Sequence, residues 1–295
     1  MTATSTSHPF PAPLVDDDTA ARVALAAAGV SGDIAVSIGI RVFGGASRFV
    51  AAVHDQHDAI VPLTNASRSR IRTYATAAHV VRILERTAKR GLGILTPLHD
   101  SWPAQFGAMR GAAPLLLWVR GDEWALSAPS IAMAGAASPS QQERQTAIEL
   151  ATGLASRGWV LVSGTNKAID SLVWRSAEAM KSQSITLSAT GFAEQPSATR
   201  FGVQVSELPP GFEASIESQR RAKQLVAAIA GKVIIDESSA SSTNLAMLHA
   251  ATAMKRPVGL LPCTLGSRDV SLPPRTGPLR GATVITSIRD ADHFH

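Results

Sequence analysis

The sequence predicts an α/β protein with a mostly parallel sheet and helices on both faces, preceded by a small all-helical module. From Gly91 onward, short apolar runs typical of buried strands alternate with stretches of helical periodicity. This alternation indicates parallel strands joined by crossover helices, with both faces of the sheet covered. Before Gly91 the chain is rich in alanine and is interrupted by glycine turns, a pattern typical of short packed helices.

The region before the sheet is predicted to contain a disordered tail, residues 1–15, and a helical module, residues 16–92. Its first helices are predicted at Ala20–Ala28, Ile34–Val42 and Ala46–His54. A further helical stretch, Arg68–Arg90, is strongly basic and carries the single acid Glu85. Two interpretations of this basic stretch stay open, a solvated helix face and a contact to nucleic acid.

The sheet domain is predicted to span residues 93–295. Its strands are predicted at Leu115–Val119, Ile131–Met133, Val160–Val162, Ile185–Leu187, Val203–Val205, Val233–Ile235, Val258–Leu261 and Val284–Ile285. The helices between them are predicted at Gln142–Ser156, Ile169–Met180, Arg220–Ala230 and Thr243–Met254. Ligands of such sheets bind beyond the carboxyl ends of the strands, so the residues that follow each strand are the candidates for function.

Composition limits the class of protein. The chain has 295 residues, 45% of them hydrophobic, and a formal net charge of +5, which permits a polyanionic partner without requiring one. Cys263 is the single cysteine, so an internal disulfide is excluded. The N-terminus lacks the features of a signal peptide, and no apolar run reaches the roughly 20 residues of a membrane span. We therefore expect a cytoplasmic protein without a membrane partner.

Signals of enzymatic chemistry are weak. The sequence contains no P-loop, no GxGxxG fingerprint, no GxSxG elbow and no HExxH pair. A lone cysteine and unpaired histidines do not form a zinc site. We therefore expect no metal, no cofactor, no catalytic residue and no enzymatic activity.

The strongest candidate for a binding site follows the strand Val160–Val162. Ser163-Gly164 and a polar turn lead there into a helix that begins near Ala168. Unsatisfied backbone N–H groups and the helix dipole make such a junction suitable for a phosphate. Lys167 in this turn is either a phosphate contact or a solvated cation, and Asp170 is interpreted as compensating the dipole.

Two other strand ends and one basic cluster offer similar groups. Gly135 and Ser138 follow the strand Ile131–Met133, and Ser241 to Thr243 follow Val233–Ile235; a tight turn and a flexible loop are the competing interpretations. A cluster of cations precedes an apolar helix and is predicted to lie in its first turn, against the helix dipole, which favours an anion contact. These cations are Arg220, Arg221 and Lys223. Glu207 and Asp236 are predicted to be structural acids at strand ends.

The order of these segments resembles the DNA-processing protein A (DprA/Smf) family of bacterial transformation. The resemblance covers about residues 93–290, with weaker similarity at Ala20–Val53. The matching segments are Asp100-Ser101-Trp102-Pro103, Pro114 to Gly121, Gly135 to Ser138, Ser163 to Asp170, Ser206 to Gly211, Arg221-Ala222-Lys223, Ser241-Ser242-Thr243 and Gly281-Ala282.

The resemblance implies an extended Rossmann-like domain after a SAM-like helical module, here without the C-terminal winged helix of some members. It also implies a non-enzymatic, dimeric protein that binds and protects single-stranded DNA and assists loading of a RecA-type recombinase. The residues expected to contact DNA or phosphate are Gly135, Ser138, Ser163, Gly164, Lys167, Arg175, Arg220, Arg221, Lys223, Ser241 and Thr243.

Several positions depart from the family pattern. Ala137 replaces the motif arginine, and the other replacements are Ala168, Trp174, Ala222 and Ser242. Nearby cations can compensate for the missing arginine, and Trp174 either stacks on a base or belongs to the core. The alternative function is a sensor of a nucleotide or nucleotide-derived ligand that has lost DNA binding.

Overall fold

The computed structural model describes residues 16–165, 168–192, 200–236, 242–262 and 281–295. The described chain divides into two compact units. The first contains residues 16–99, 110–118 and 207–211, and the second contains the remaining described residues. The predicted tail, residues 1–15, lies outside the described residues, and the predicted domain boundaries stay a prediction.

The first unit is built from short helices. Their bounds are α1 (Asp17–Ala27), α2 (Ile34–Val42), α3 (Ala46–His54), α4 (Asn65–Tyr74) and α5 (Ala77–Lys89), followed by the strand β1 (Gly93–Leu95). Asp16 and Asp33 cap α1 and α2 by accepting hydrogen bonds from first-turn N–H groups. Gly29 and Gly44 end these two helices with positive φ angles of 63° and 71°, which explains the glycine turns of the sequence.

The basic stretch Arg68–Arg90 differs from its prediction because it forms two helices, α4 and α5, separated at Ala75-Thr76. The buried carboxylate of Asp58 lies 2.6 Å from Arg68 Nε and 3.7 Å from Arg72 Nη2. Part of the positive charge of α4 is therefore neutralised inside the unit.

The second unit is an α/β sheet. Its strands are β2 (Leu117–Gly121, which starts in the first unit), β3 (Ser130–Ala134), β4 (Val160–Gly164), β5 (Ser184–Ser188), β6 (Val203–Ser206), β7 (Lys232–Asp236), β8 (Val258–Leu261) and β9 (Thr283–Val284). The α-helices are α6 (Gln141–Ala155), α7 (Ile169–Ala179), α8 (Ile216–Ile229), α9 (Ser242–Ala253) and α10 (Ile288–His293).

The strands lie in the order β2-β6-β5-β4-β3-β7-β8-β9, and the pairs from β6 to β9 are parallel. The chain proceeds from β3 to β6 in one direction and from β7 to β9 in the other. Because parallel crossovers are right-handed, α6 and α7 cover one face, and α8 and α9 cover the opposite face. The predicted mostly parallel sheet with helices on both faces is confirmed.

The core on one face joins the sheet to α6, α7 and α10. Ile131, Leu161 and Val173 are fully buried in it. The C-terminal helix α10, which the sequence did not predict, is held by Asp292, whose carboxylate accepts from Trp159 Nε1 at 2.5 Å. Lys232 Nζ donates to the Asp292 carbonyl at 2.8 Å, and burial lowers the pKa of this lysine.

No single helix in the described ranges is long and apolar enough to cross a membrane. One pair, α2 and α3, meets the length and composition criteria only when both helices are taken together, and the two are bent by 101°.

Replacing Gly202 with alanine should strongly destabilise the second unit. Gly202 has a φ of 123°, and an added Cβ would lie 2.0 Å from the carbonyl oxygen of Ser184. We expect a loss of roughly 3 kcal/mol in the free energy of unfolding, combining a disfavoured backbone conformation with overpacking. Chemical denaturation measures this loss.

The matched control is Gly158→Ala. Gly158 also has a positive φ, 85°, but an added Cβ meets nothing within 4 Å. Its cost should be about 1 kcal/mol, from the backbone conformation alone. Equal losses for the two variants would contradict the steric explanation.

Candidate functional site

A cavity of about 310 Å³ lies at the carboxyl ends of β3 and β7. These two strands are neighbours where the order of the sheet reverses, which is where doubly wound sheets bind their ligands. The lining residues come from the loop after β3, from the starts of α7 and α9, and from α8. They are Gly135, Ala136, Ala137, Ala168, Ile169, Asp170, Gln219, Lys223, Thr243 and Asn244.

A buried ion pair forms one wall of this cavity. Lys223 Nζ on α8 lies 2.8 Å from Asp170 Oδ1 and 2.9 Å from Oδ2, and the side chains are only 5% and 4% exposed. A buried charge without a partner is costly, so each of these residues requires the other. Lys223, expected from the sequence to contact an external anion, is thus bound to an internal carboxylate.

Gly164 makes room for this ion pair at the end of β4. A Cβ on Gly164 would lie 2.6 Å from Asp170 Oδ2 and 3.7 Å from Lys223 Nζ. A side chain here would therefore push the carboxylate away from the lysine. The close approach of the Asp170 carboxylate therefore explains why the sequence motif has glycine at position 164.

The loop after β3 is held close to two helices. A Cβ on Gly135 would lie 2.5 Å from Ile169 Cγ1, so only glycine permits this approach to α7. On the other side, Asn244 Nδ2 donates to the Gly135 carbonyl oxygen at 2.8 Å. These two contacts fix the loop that carries Ala136 and Ala137 into the lining.

The cations of α8 do not occupy its first turn, and the prediction that they oppose the helix dipole there is wrong. The helix begins at Ile216, and Ser215 and Ser218 form a capping box at its start. Arg220 therefore lies in the second turn, where its side chain is exposed, and Arg221 is half-buried. Neither residue is among those that line the cavity.

The first turn of α8 carries an acid, which suits the helix dipole. The pKa of the Glu217 carboxyl is lowered from its ordinary value by hydrogen bonds from its own backbone N–H and the Ser215 hydroxyl. The nearby Arg220 guanidinium lowers it further. Arg220 therefore lies close enough to the Glu217 carboxylate to attract it.

Arg175 and Trp174 contact each other on α7. The Arg175 guanidinium carbon lies 5.3 Å from the Trp174 ring centroid, within the range of a cation–π contact. Trp174 is half-buried and Arg175 is exposed. Both lie outside the lining of the cavity.

The remaining predicted DNA contacts differ in their accessibility. Ser163 is buried, and its Oγ has no hydrogen-bond partner within the described ranges. Ser138 is exposed, and Thr243 lines the cavity. Lys167 and Ser241 lie outside the described residues. The roles of all these residues in DNA binding stay predictions.

The three predicted strand-end acids are buried. Asp170 pairs with Lys223, and Asp236 ends β7 with 7% of its surface exposed. Glu207 belongs to the first unit, where its Oε1 accepts from Ser31 Oγ at 2.5 Å. The structural roles assigned to these three acids from the sequence stay a prediction.

Sequence reasoning missed two polar side chains of the cavity, Gln219 and Asn244. Both lie near the start of a helix that follows a strand, and this position is the signal that could have found them.

In the part of the chain that the structure describes, no group of three or more His, Cys, Asp or Glu residues could hold a metal ion. The lining therefore offers amides, a hydroxyl and one internally neutralised ion pair.

The sequence profile of the family described as DNA recombination-mediator protein A matches residues 93–291, more than half of the chain. The chain belongs to this family. The resemblance found in the sequence motifs is thereby confirmed.

The relatives agree with this membership. A DNA processing protein DprA of Mycobacterium tuberculosis is 29% identical over 234 residues, covering 72% of this chain and 59% of the relative. The chain thus spans 59% of the length of the curated relatives it matches.

Two solved structures share the fold. DprA from Streptococcus pneumoniae aligns with a TM-score of 0.69 and 19% identity, over 94% of this chain and 98% of the other. DprA from Helicobacter pylori aligns with a TM-score of 0.55 and 22% identity, over 68% of this chain and 93% of the other.

Two of the departures from the family motifs, Ala137 and Ala168, line the cavity. Ala137 is exposed in the lining, and Ala168 is the N-cap of α7 and makes no side-chain capping bond. Ala222 is buried on α8 beside Lys223. Alanine at the first two of these positions makes that part of the lining small and apolar.

Replacing Lys223 with methionine should destabilise the protein. The change leaves the buried Asp170 carboxylate without its partner, so we expect a loss of about 3–5 kcal/mol in the free energy of unfolding. Chemical denaturation with a spectroscopic signal for the second unit measures it.

The double variant Lys223→Met, Asp170→Asn is the control because it removes both charges. It should recover part of the loss, since no uncompensated charge remains buried. If the double variant loses as much free energy of unfolding as the two single variants lose together, the importance of the ion pair is contradicted.

Proposed function

We propose that this protein binds single-stranded DNA during DNA processing. The observation that carries the proposal is the cavity at the switch point of a family sheet, beside the exposed Arg220 and the half-buried Arg221 on α8. Family membership supports it, since the family is described as a mediator of DNA recombination. The H. pylori protein of the same fold has a known mode of binding single-stranded DNA.

The charge of the chain agrees with this proposal. A phosphodiester chain is bound largely through cations that displace its counterions. Arg220 and Arg175 are exposed in the second unit, and the whole chain has a formal net charge of +5. Guanidinium groups suit phosphate because their planar donors match its oxygens.

The proposal extends to the cellular role. In it, a cytoplasmic homodimer protects incoming DNA in natural transformation and assists loading of a RecA-type recombinase. The bound strand is transferred to the recombinase without being cleaved, so the protein acts as a binding protein rather than as an enzyme. Similarity to the family motifs supports these steps.

A sensor of a nucleotide-derived ligand is the second candidate function. Ala137 in place of the motif arginine favours it, together with a cavity of a size suited to one nucleotide. A rise in Tm with a mononucleotide, combined with no binding of single strands at low salt, would favour the sensor over the DNA-binding protein.

The logarithm of the binding constant for a labelled oligo(dT) should fall linearly as the logarithm of the salt concentration rises. The magnitude of this slope should be about 0.7 for each phosphate contacted. Arg220→Ala should reduce the affinity and lower this slope by about 0.7, because one phosphate contact is lost. Fluorescence anisotropy at several salt concentrations measures both quantities.

Arg157→Ala is the matched control. Arg157 follows the end of α6 and precedes β4, so it lies at the amino ends of the strands, opposite the cavity, and is also exposed. This change should leave affinity and slope unaltered. Absence of binding at the lowest salt concentration would refute the proposed function.

A further inference from the structure

We propose that the helix pair α4 and α5 of the first unit carries a second binding surface for single-stranded DNA. This α4–α5 surface consists of Tyr74, His79, Arg82, Arg86 and Lys89. The inference rests on the proposed function and extends it from the strand ends of the second unit to the basic stretch whose role the sequence left open. It follows from the arrangement, the charge and the aromatic content of this surface.

The side chains that α5 contributes share one face of the helix. His79, Arg82, Arg86 and Lys89 follow one another at spacings of three, four and three residues, which places them in one stripe along the helix. The three cations of this stripe are exposed. At about 1.5 Å per residue the stripe is roughly 15 Å long, so it can meet several phosphates of one strand.

The charge of the stripe is not neutralised by ion pairs. The arginines of α4 that contact Asp58 have an internal partner. In the described ranges, Arg82, Arg86 and Lys89 form no ion pair with any carboxylate. Glu85, the single acid of the stretch, forms none either. The helix dipole favours Arg86 and Lys89 in the last turn of α5, but it does not explain Arg82, which lies one turn from Arg86 and repels it. An external polyanion would neutralise all three.

Two aromatic rings adjoin the stripe where α4 meets α5. The centroids of the Tyr74 and His79 rings are 5.8 Å apart, and the rings are inclined by 71°. Tyr74 is 45% exposed, so its ring is accessible to a ligand. Aromatic rings beside a row of cations are the combination with which proteins stack the bases and hold the backbone of a single strand. The rings therefore favour a nucleic-acid strand over an acidic polypeptide.

Guanidinium groups gather at the other end of the stripe. A Cβ on Gly211 would lie 3.5 Å from Arg86 Nη1 and 3.8 Å from Arg90 Nη1, so these two groups lie close to each other. The planar donors of a guanidinium match the oxygens of a phosphate. This end of the surface is thus suited to the backbone of the strand, and the aromatic end is suited to a base.

The test uses Tyr74, the single tyrosine of the chain, as a local probe. The full chain labelled with fluorotyrosine gives one fluorine NMR resonance, and titration with oligo(dT) should shift it. Combining Arg82→Gln with Arg86→Gln should lower the salt slope of this titration by about 1.4, because two phosphate contacts are lost at about 0.7 each. The variant should keep its fold, since glutamine is well tolerated in exposed helix positions.

The matched control combines Arg41→Gln with Arg48→Gln. Both arginines are exposed in the first unit, on α2 and α3, and the change in net charge is the same. The fluorine titration and its salt slope should stay unaltered. Arg220→Ala, which lies in the second unit, should also preserve the shift of the Tyr74 resonance.

Several results would overturn the inference and leave the proposed function standing. Oligo(dT) that binds by fluorescence anisotropy without shifting the resonance would be bound elsewhere. A shift and salt slope that are unaltered by the Arg82 and Arg86 changes, or a shift that Arg220→Ala abolishes, would report binding in the second unit. An oligo-aspartate of equal charge that shifts the resonance as strongly as oligo(dT) would identify an acidic polypeptide as the partner. If no strand binds at the lowest salt concentration, the proposed function and the inference both fail.

Discussion

The buried pair of Lys223 and Asp170 is the interaction on which the architecture of the site depends. The two residues lie 53 positions apart in the chain, on helices that cover opposite faces of the sheet. Their contact passes the end of β4, where Gly164 offers no side chain. Because an unpaired charge in this environment is strongly destabilising, the ion pair holds α7 and α8 together at the edge of the sheet where the candidate site lies.

This ion pair also determines the chemical character of the site. A lysine beside a cavity ordinarily indicates an attraction for anions, but here its charge is satisfied within the protein. Exposed positive charge near the site therefore comes from arginines such as Arg220, which lies outside the cavity lining. The site thus combines a cavity whose charges are paired internally with an exposed arginine outside it.

The local sequence predicted the strands of the second unit because most of them are short apolar runs, but it missed β1. It missed the start of α8, since residues 216–221 are mostly polar and their capping residue, Ser215, pairs with a serine instead of the usual Glu or Gln. It missed the break between α4 and α5 because Ala75-Thr76 contains neither glycine nor proline. The Lys223–Asp170 contact was not predictable from local patterns, because charge and spacing do not show which side chains meet across a sheet.

The capping box of α8 has a consequence for the thermodynamics of binding. Ser218 Oγ donates to the carbonyl oxygen of Ala189, in the loop after β5, at 2.8 Å, while its backbone N–H donates to Ser215 Oγ at 3.1 Å. The first turn of α8 is thus held against the loop after β5 without any ligand. Gln219, the next residue, is consequently preorganised, and an incoming molecule forfeits little conformational entropy to order this backbone.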